Sequence, residues 1–332
     1  MDRRDFLKAS AAAALGAMAG RFPLPEAGAA GLPSRSTVVC VKSAKVATES
    51  GFDADVVAKM VERGLLAFTN KTSIAAAWKE FVSPKDVIGL KINSKGRLIP
   101  THRVFIEAVI KGLVAAGIDE NNIIVWDQSW NPMQDAGYTP QVGPGVKYLA
   151  SQHGAQPVGY DQNVLYEPSQ SGKSCIAKIL TQKTTALINL PVLKDHNWAG
   201  VTLALKNIAF GITSNCSQWH KNTNRGDPMI PEVCALPVVK EKLRLTILDA
   251  LEACYDGGPD PRNARLLWKP GMIYVATDMV ALDTIAAQVI DAKRKENNLF
   301  PATRFASYIA TAAKMKLGTN SKAAIRVEKV TV

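Results

Sequence analysis

Short apolar runs alternate with stretches of helical periodicity from residue 37 onwards. In the first half of the chain, three such runs predict strands at 37–41, 87–92 and 123–126. Between them, apolar residues at helical spacing predict helices over 57–65 and 105–113, and Asp53 or Asp55 is expected to cap the first helix. This β-α-β-α-β order is typical of a parallel sheet that is covered by helices.

The pattern continues in the second half of the chain. Apolar runs predict strands at 186–190, 243–248 and 272–276, and apolar stripes predict helices over 201–209, 282–290 and 305–313. Asp278 is the expected N-cap of the helix that follows it. Segments 128–174 and 211–231 are polar or rich in Pro and Gly; the first is expected to be long loops with a little structure, and the second is expected to be a loop. The sequence therefore predicts one α/β domain over residues 30–332, undivided or with two lobes, with a mostly parallel sheet flanked by helices.

The first thirty residues resemble an export signal. Arg3-Arg4 is similar to the twin-arginine motif, a short apolar stretch follows at 9–20, and a small-x-small pattern ends at Ala29. We predict a signal peptide over 1–29 that is cleaved after Ala29. Export through the twin-arginine translocase would then deliver a periplasmic protein without a membrane anchor. The alternative is an alanine-rich N-terminal helix that carries the arginine pair by coincidence.

Composition and charge exclude several classes of protein without identifying one. Of the 332 residues, 47% are hydrophobic and 21% are charged, which is an ordinary globular mixture. The net charge of +11 suits either a phosphate-rich partner or a small anionic ligand. The basic residues are spread along the chain, and export separates the protein from nucleic acid. Nucleic-acid binding is therefore the least favoured of these functions.

The cysteines do not form a known metal or redox motif. They are Cys40, Cys175, Cys216, Cys234 and Cys254. None is in C-x-x-C spacing, so the sequence supports neither an iron–sulfur cluster nor a haem motif. Cys216 and Cys234 are candidates for a disulfide, but each cysteine is equally well explained as a small buried hydrophobe. The odd count leaves at least one thiol without a partner in the chain.

Polar residues gather where the predicted strands end, which is where ligands bind in open α/β sheets. The second strand ends in Lys91 and Asn93, and the next helix begins at Thr101, His102 and Arg103. The free N–H groups and the dipole of a helix start favour negative charge, so this segment predicts an anion site. The alternative is an ordinary threonine cap with solvated neighbours.

The densest polar segment follows the strand at 186–190. Lys194 and His196 lie at the strand end, and Thr202, Lys206 and Asn207 lie on the predicted helix, with Thr202 and Lys206 four residues apart. Little acid lies beside them. We predict that they share one cleft, with His196 and Lys206 as catalytic residues and the others binding an anion. The alternative is a set of solvated lysines and a structural histidine.

A third group of candidates lies near the end of the chain. Asp249 ends a predicted strand, and Gly257 and Gly258 form a tight turn that would let an anion approach the backbone. Either His196 or His220 is a candidate metal ligand, and the alternative for His220, in a predicted loop, is a contact with the substrate.

These motifs together resemble a known family. They are Lys91-Ile92-Asn93, Pro100-Thr101-His102, the Leu-Pro-x-Leu-Lys-x-His segment ending at His196, Thr-Leu-Ala-Leu-Lys-Asn at 202–207, Asp-Gly-Gly-Pro at 256–259, and Asp278 with Asp283. In this order they resemble the twin-arginine-exported branch of the domain-of-unknown-function family 362, over nearly all of the mature chain. Longer members carry ferredoxin-like cysteine runs and are described as iron–sulfur proteins. This sequence has no such run, so no cluster is expected.

A second resemblance is chemically more specific. His196-x-x-Ala199-Gly200, with Lys206 ten residues after His196, is similar to a His-x-x-Ala-Gly…Lys stretch in nickel-pincer lactate racemases. In that family the lysine holds the pincer cofactor covalently and the histidine is an acid/base near the metal. The glycine-rich stretch that precedes the racemase lysine is replaced here by residues 201–205.

The leading hypothesis is an exported enzyme that acts on a small anionic substrate similar to a hydroxy acid. Its cofactor is unidentified, and a bound metal is one candidate. One alternative is a periplasmic anion-binding module without catalysis. The other is an accessory protein of a redox system, which the absence of C-x-x-C motifs argues against.

Overall fold

The alternating pattern folds into one large sheet with helices on both faces. The computed structural model describes residues 35–167, 173–216, 219–220 and 224–332, so the predicted signal peptide lies outside the described residues. Residues 35–332 form one compact unit. The predicted fold class, an α/β protein with a mostly parallel sheet flanked by helices, is confirmed.

The strands of the described part are numbered in chain order. They are β1 (Ser36–Lys42), β2 (Ala47–Thr48), β3 (Gly51–Phe52), β4 (Ile88–Ile92), β5 (Ile123–Ser129), β6 (Lys147–Gln152), β7 (Tyr160–Tyr166), β8 (Ser174–Ala177), β9 (Ala186–Leu190), β10 (Val192–His196), β11 (Gly200–Thr202), β12 (Leu243–Cys254), β13 (Leu267–Trp268), β14 (Met272–Ala276) and β15 (Ile325–Thr331).

Eleven of these strands form the central sheet. Its order is β15-β1-β14-β12-β9-β4-β5-β6, while β10 and β13 pair with β12, and β11 pairs with β10. The run from β12 through β9, β4 and β5 to β6 is parallel, whereas β14 is antiparallel to both of its neighbours. The carboxyl ends of β9, β4 and β5 therefore lie at one edge of the sheet, where ligands bind in such folds.

The helices are also numbered in chain order. They are α1 (Ala54–Thr69), α2 (Ile74–Trp78), α3 (Arg103–Ala115), α4 (Trp130–Asp135), α5 (Ala204–Gly211), α6 (Met229–Cys234), α7 (Pro237–Lys242), α8 (Met279–Glu296) and α9 (Ser307–Lys314) within the described residues. Asp53 caps α1 by accepting two backbone N–H groups, and Asp278 caps α8 by accepting the Ala281 N–H. Both caps were predicted from the sequence.

Apolar residues on the two faces of the sheet form two separate cores. Along β1, Val38 packs in one core and its neighbour Val39 in the other, because successive side chains of a strand point to opposite faces. Helices α1 and α3 cover the Val39 face, and α5 and α8 cover the Val38 face. Burial of both faces accounts for the apolar runs that predicted the strands.

Two predicted loops hold regular structure. Segment 128–174 contains α4, β6, β7 and the first residue of β8, and segment 211–231 contains the start of α6. In β7 buried and exposed positions are mixed, and polar residues at Asp161 and Asn163 interrupt the apolar pattern. Such strands give no continuous apolar run, so segment 128–174 holds more regular structure than the little that was predicted there.

Two elements differ from the prediction at the polar segment itself. The predicted helix over 201–209 begins at Ala204, while Gly200–Thr202 is the strand β11, so Thr202 and Lys206 do not share a helix face. Lys194 pairs with Thr202 across β10 and β11. Asp249 lies in the middle of β12 and does not end it, because β12 runs on to pair with β10. The apolar residues over 201–209 have the same spacing in one continuous helix as in a short strand followed by a helix, so the sequence pattern did not separate the two structures.

All five cysteines are free thiols in the described part of the chain. The suggested disulfide between Cys216 and Cys234 is therefore not formed. Cys216 Sγ contacts the side chain of Gln128, whereas Cys234 Sγ donates to the Leu205 carbonyl. The two thiols have different neighbours and serve as packed side chains.

Candidate active site

A cleft of about 490 Å³ opens beyond the carboxyl ends of β4 and β5. Seven of the residues singled out from the sequence line it together: Lys91, Asn93, His196, Thr202, Lys206, Asn207 and His220. They come from β4, the end of β10, β11, helix α5 and the segment after it. The fold therefore collects into one cavity residues that are separated by up to 130 positions in sequence.

Lys91 and Asp127 form a buried ion pair between neighbouring strands. Nζ of Lys91 lies 2.6 Å from Oδ1 of Asp127, and Ser94 donates to Oδ2 from its N–H at 2.7 Å and its hydroxyl at 2.6 Å. Burial by itself would raise the pKa of the Asp127 carboxyl, but Lys91 and Ser94 outweigh it and hold that pKa below its ordinary value. Because the pair is neutral overall, Lys91 offers little free charge to an anion.

Gly211, at the end of α5, leaves room for Lys91. A Cβ at this position would lie 2.1 Å from Cε and 2.5 Å from Nζ of Lys91. Any larger residue would displace the ammonium from Asp127. The glycine is thus required for space at the bottom of the cleft, which no sequence pattern indicated.

Three asparagine side chains connect the strands to helix α5. Oδ1 of Asn207 accepts from Asn93 at 3.0 Å, and Nδ2 of Asn207 donates to Asn189 at 2.8 Å. Asn189 in turn donates to the Ala204 carbonyl at 3.1 Å. A satisfied network of buried amides fixes one geometry, so it holds the start of α5 against β4 and β9.

Lys194 is buried on β10 and is not among the residues that line the cleft. Its Nζ donates to Oδ1 of Asn93 at 2.8 Å, to the Ile99 carbonyl at 3.2 Å and to the Lys95 carbonyl. Burial lowers its pKa to about 7. Because protein oxygens take all three N–H donors of the ammonium, Lys194 orders the loop after β4.

Lys206 differs from the other two buried lysines in having neither a carboxylate nor another oxygen as a partner among the described residues. It is 6% exposed, and its Nζ lies 3.9 Å from the ring centroid of Phe210. Among the described residues, no carboxylate lies within 4 Å of it and no oxygen accepts from it. Burial lowers the pKa of Lys206 to about 8. Near neutral pH the side chain is mostly an ammonium, with a sizeable fraction of free amine.

His196 is fixed as a neutral ring. The backbone N–H groups of Trp198 and Ala199 both donate to its Nδ1, each at 3.1 Å. A nitrogen that accepts these bonds carries no proton, so the proton of the neutral ring is on Nε2. Burial and then the charge of Lys206 and the neighbouring His220 lower the pKa of His196 well below its ordinary value. His196 therefore presents an N–H donor.

Two further polar atoms at the cleft lack partners among the described residues. They are the hydroxyl of Thr202 and Nε2 of His220, both buried. The His220 ring stacks on that of His196, with centroids 5.1 Å apart and planes 8° from parallel. Burial lowers the pKa of His220 to about 4, so it is neutral as well. Buried polar groups are normally paired, so unpaired ones at a cavity indicate a ligand.

The helix start at residues 101–103 already holds a carboxylate of the protein. Oδ2 of Asp249 accepts from the backbone N–H and from Nδ1 of His102, at 2.8 Å each. Thr101 donates to the Leu190 carbonyl, and the exposed Arg103 donates to the Gly137 carbonyl. These four residues are thus separate from the cleft, and the expected anion at this helix start is replaced by Asp249.

The His102–Asp249 pair makes stability depend on pH. Burial by itself would lower the pKa of His102, but Asp249 outweighs it and raises that pKa above 6.5. A raised histidine pKa stabilises the folded state at low pH, and this contribution is lost as pH rises through the folded-state pKa.

We therefore expect the free energy of unfolding of the wild type, relative to His102→Asn, to fall as pH rises from about 6.5 through the raised pKa of His102. Urea unfolding of both proteins at several pH values measures this difference. Lys194 and Lys206 also make stability depend on pH, but they are present in both proteins, so their contributions cancel in the difference. A difference that rises with pH would contradict the assignment.

The predicted glycine turn packs against protein and lies beside the cleft. Gly258 donates its N–H to Oδ1 of Asp195, and a Cβ at Gly258 would lie 2.1 Å from the Asp195 carbonyl oxygen. Gly257 lines a separate cavity of about 190 Å³, which it shares with Arg294. The glycine turn thus approaches the backbone of β10 closely. Ligand binding by Gly257 and Gly258 stays a prediction.

Several residues of the cleft were missed from the sequence. They are Asp127, Gln128, Ser129, His153, Phe210 and Cys216. Ser129 and His153 lie at the mouth, with Oγ and Nδ1 2.9 Å apart. Four of the six come from segments that were expected to be loops, and Asp127 directly follows an apolar run. Only the position of Asp127 at a strand end was a usable signal.

The described residues hold no group of three or more His, Cys, Asp or Glu side chains that could bind a metal ion. One nitrogen of His196 is already engaged by backbone N–H groups.

The model of the domain of unknown function DUF362 matches residues 88–288. The chain belongs to this family. The matched region contains Lys91, Asp127, His196 and Lys206, and so includes the cleft. No curated protein matches the chain. A crystal structure of a structural-genomics target from Thermotoga maritima is similar at 9% identity and a TM-score of 0.42, over 79% of this chain. The chain spans 59% of the length of that protein.

A twin-arginine translocation signal matches residues 1–20 of this DUF362 protein. The signal indicates export across the cytoplasmic membrane by the twin-arginine translocase. Within the described residues, no helix has the length and apolar character needed to span a membrane.

Proposed function

We propose that this DUF362 protein is a periplasmic enzyme that binds a small hydroxy or oxo acid in the cleft and transfers a proton on it. Lys206 and His196 are its central residues. The proposal is carried by one observation, the buried Lys206 ammonium that faces a cavity without an acidic partner among the described residues. A buried charge without a partner is unfavourable, so a substrate carboxylate would complete this site.

The other lysines near the cleft support this choice. Lys91 is neutralised by Asp127, and Lys95 lies 4.0 Å from Asp260 at the exposed rim. Lys194 does not line the cleft, and its ammonium donates to protein oxygens. An anion that enters the cleft therefore meets its strongest uncompensated positive charge at Lys206.

The two central residues suit different parts of a proton transfer. The pKa of Lys206, about 8, lets its nitrogen accept and return a proton near neutral pH. His196 has its proton fixed on Nε2, so it donates a hydrogen bond to a substrate oxygen and polarises it. A neutral histidine that polarises a carbonyl is known from triosephosphate isomerase. This assigns the base to Lys206, where the sequence suggested His196.

The resemblance to pincer racemases can be tested against these residues. An unpaired, buried amine at Lys206 fits a covalent attachment point, and a metal brought by such a group would supply a centre that the described side chains do not form. The proton transfer proposed for Lys206 and His196 does not depend on it.

Thermal and chemical unfolding with added lactate or pyruvate tests the proposal. We expect stabilisation of the wild type by about 2.7 kcal/mol at a ligand concentration 100 times Kd. Lys206→Met should abolish it, because the positive charge is lost. The matched control Lys95→Met, at the exposed rim, should keep it. Stabilisation should also weaken as pH rises through about 8, where Lys206 loses its charge.

Two results would contradict the proposal. One is the absence of stabilisation of the wild type by any small carboxylate, and the other is equal stabilisation of Lys206→Met. Proton NMR of the same mixtures in D₂O separates an enzyme from a binding module. Deuterium exchange or product formation is expected for the enzyme, and unchanged spectra would identify an anion-binding module.

A further inference from the structure

We propose that Lys206 is a nucleophile that binds a 2-oxo acid covalently, as an imine between Nζ and the substrate carbonyl carbon. This inference rests on the proposed function and deepens it. It names the substrate class and a covalent intermediate, where the proposed function requires only binding and proton transfer.

The first support is the contrast among the three buried lysines. Lys91 is held by Asp127 at 2.6 Å, and Lys194 has three oxygen acceptors. Asp127 therefore holds Lys91 as an ammonium, which has no lone pair for attack, and Lys194 is bound by protein oxygens and does not line the cleft. Lys206 has neither kind of partner among the described residues, and its Nζ rests on the face of Phe210. Burial without such a partner outweighs the attraction of the Phe210 ring for the ammonium and lowers the pKa of Lys206 to about 8, so a fraction of the amine is free for attack near neutral pH.

The second support is the set of unpaired polar atoms at the same cavity. The Thr202 hydroxyl and Nε2 of His220 are buried without partners in the described part of the chain, and His196 presents its Nε2–H. An imine-forming site needs donors and acceptors for the carbonyl oxygen as it becomes a hydroxyl and then leaves. These three groups supply them within the cleft that contains Lys206.

The step balances without a redox partner. The lone pair of the Lys206 amine attacks the carbonyl carbon, a C–N bond forms, and proton transfer from nitrogen to oxygen gives a carbinolamine. The C–O bond then breaks, and the oxygen leaves as water with the two protons that were on the amine. Proton uptake by the imine restores a positive charge at the former position of the ammonium. The positive charge of the protonated imine attracts the carboxylate of the bound substrate. The site therefore favours an oxo acid over a neutral ketone.

Reductive trapping tests the imine. The full-length mature protein is incubated with pyruvate and then with sodium borohydride, and intact mass and peptide mapping follow. We expect one added group, with the mass of pyruvate less water plus two hydrogens, on Lys206. Lactate, which has no carbonyl, should give no adduct. Lys206→Arg keeps the charge without a nucleophilic amine and should lose the adduct, and Lys95→Arg should retain it.

The failure of the imine can be told apart from that of the proposed function. If lactate and pyruvate stabilise the wild type but borohydride leaves it unlabelled, the imine is refuted and the carboxylate site stands. Labelling of another lysine, or of Lys206→Arg to the wild-type extent, also refutes it. If no carboxylate stabilises the protein, the proposed function fails at the earlier step. Because these arms use the wild type, they hold even if a variant at Lys206 does not fold.

Discussion

Asp127→Ala is expected to lower the free energy of unfolding by about 3–5 kcal/mol, since it leaves the Lys91 ammonium buried without its counter-ion. Lys91 is 1% exposed, and its stem packs against Gly211, so little water reaches the ammonium. The variant also leaves the Ser94 N–H and hydroxyl without their acceptor. Urea unfolding monitored by circular dichroism measures the loss.

A double variant separates the ion pair from the cavity left by the side chain. In Lys91→Met/Asp127→Leu both charges are replaced by apolar groups of similar size, and most of the lost stability should return. Gly211→Ala should mimic Asp127→Ala without touching either charge, because its Cβ occupies the place of the Lys91 ammonium. If Asp127→Ala lowers the free energy of unfolding by no more than an exposed substitution does, the buried ion pair does not stabilise the structure at the bottom of the cleft.

The buried pair also shows which parts of the fold could be predicted. The apolar runs predicted β1, β4, β9 and β14 to within one residue at each end, because a strand that is buried on both faces is continuously apolar; the prediction for β5 ended three residues early, at 126. The capping residues Asp53 and Asp278 followed from their positions before apolar stripes. What failed was β7, where polar residues interrupt the pattern, and β11, which is too short to have a period.

The candidate site was also predicted only in part. Local spacing grouped Lys194, His196, Thr202 and Lys206, but it could not tell which of them face the cleft. Lys194 pairs with Thr202 across a hairpin, yet only Thr202 lines the cavity. Asp127 is the partner of Lys91 from 36 residues away, and Asp249 neutralises a helix start 147 residues before it. Such pairs depend on strand order, which a single sequence does not show.

The chemistry of the cleft follows from these long-range pairs. All three buried lysines look alike in sequence, but one is paired with a carboxylate, one with neutral oxygens, and Lys206 with neither in the described residues. The net charge of +11 gave no indication of this difference. Lys206 is distinguished from the other two by the partners it lacks among the described residues.

Asp283 is expected to be as important for stability as the buried ion pair. It is fully buried on α8, and its two carboxylate oxygens accept the N–H groups of Ala204 at 2.8 Å and Leu205 at 3.0 Å. It thereby holds the first turn of α5, the helix that carries Lys206. Asp283→Ala leaves two buried N–H groups without acceptors, so we expect a loss of about 2–4 kcal/mol.

Asp53→Ala is the matched control for Asp283→Ala. Asp53 also accepts two backbone N–H groups at a helix start, but water can replace it there, so the loss should be about 1 kcal/mol. Asp283→Asn should recover little, because its amide presents a donor to one of the two N–H groups. Since α5 would lose its fixed start, borohydride labelling of Lys206 should fall in Asp283→Ala and stay unchanged in Asp53→Ala. Equal losses of stability in the two variants would show that burial of the Asp283 cap contributes nothing.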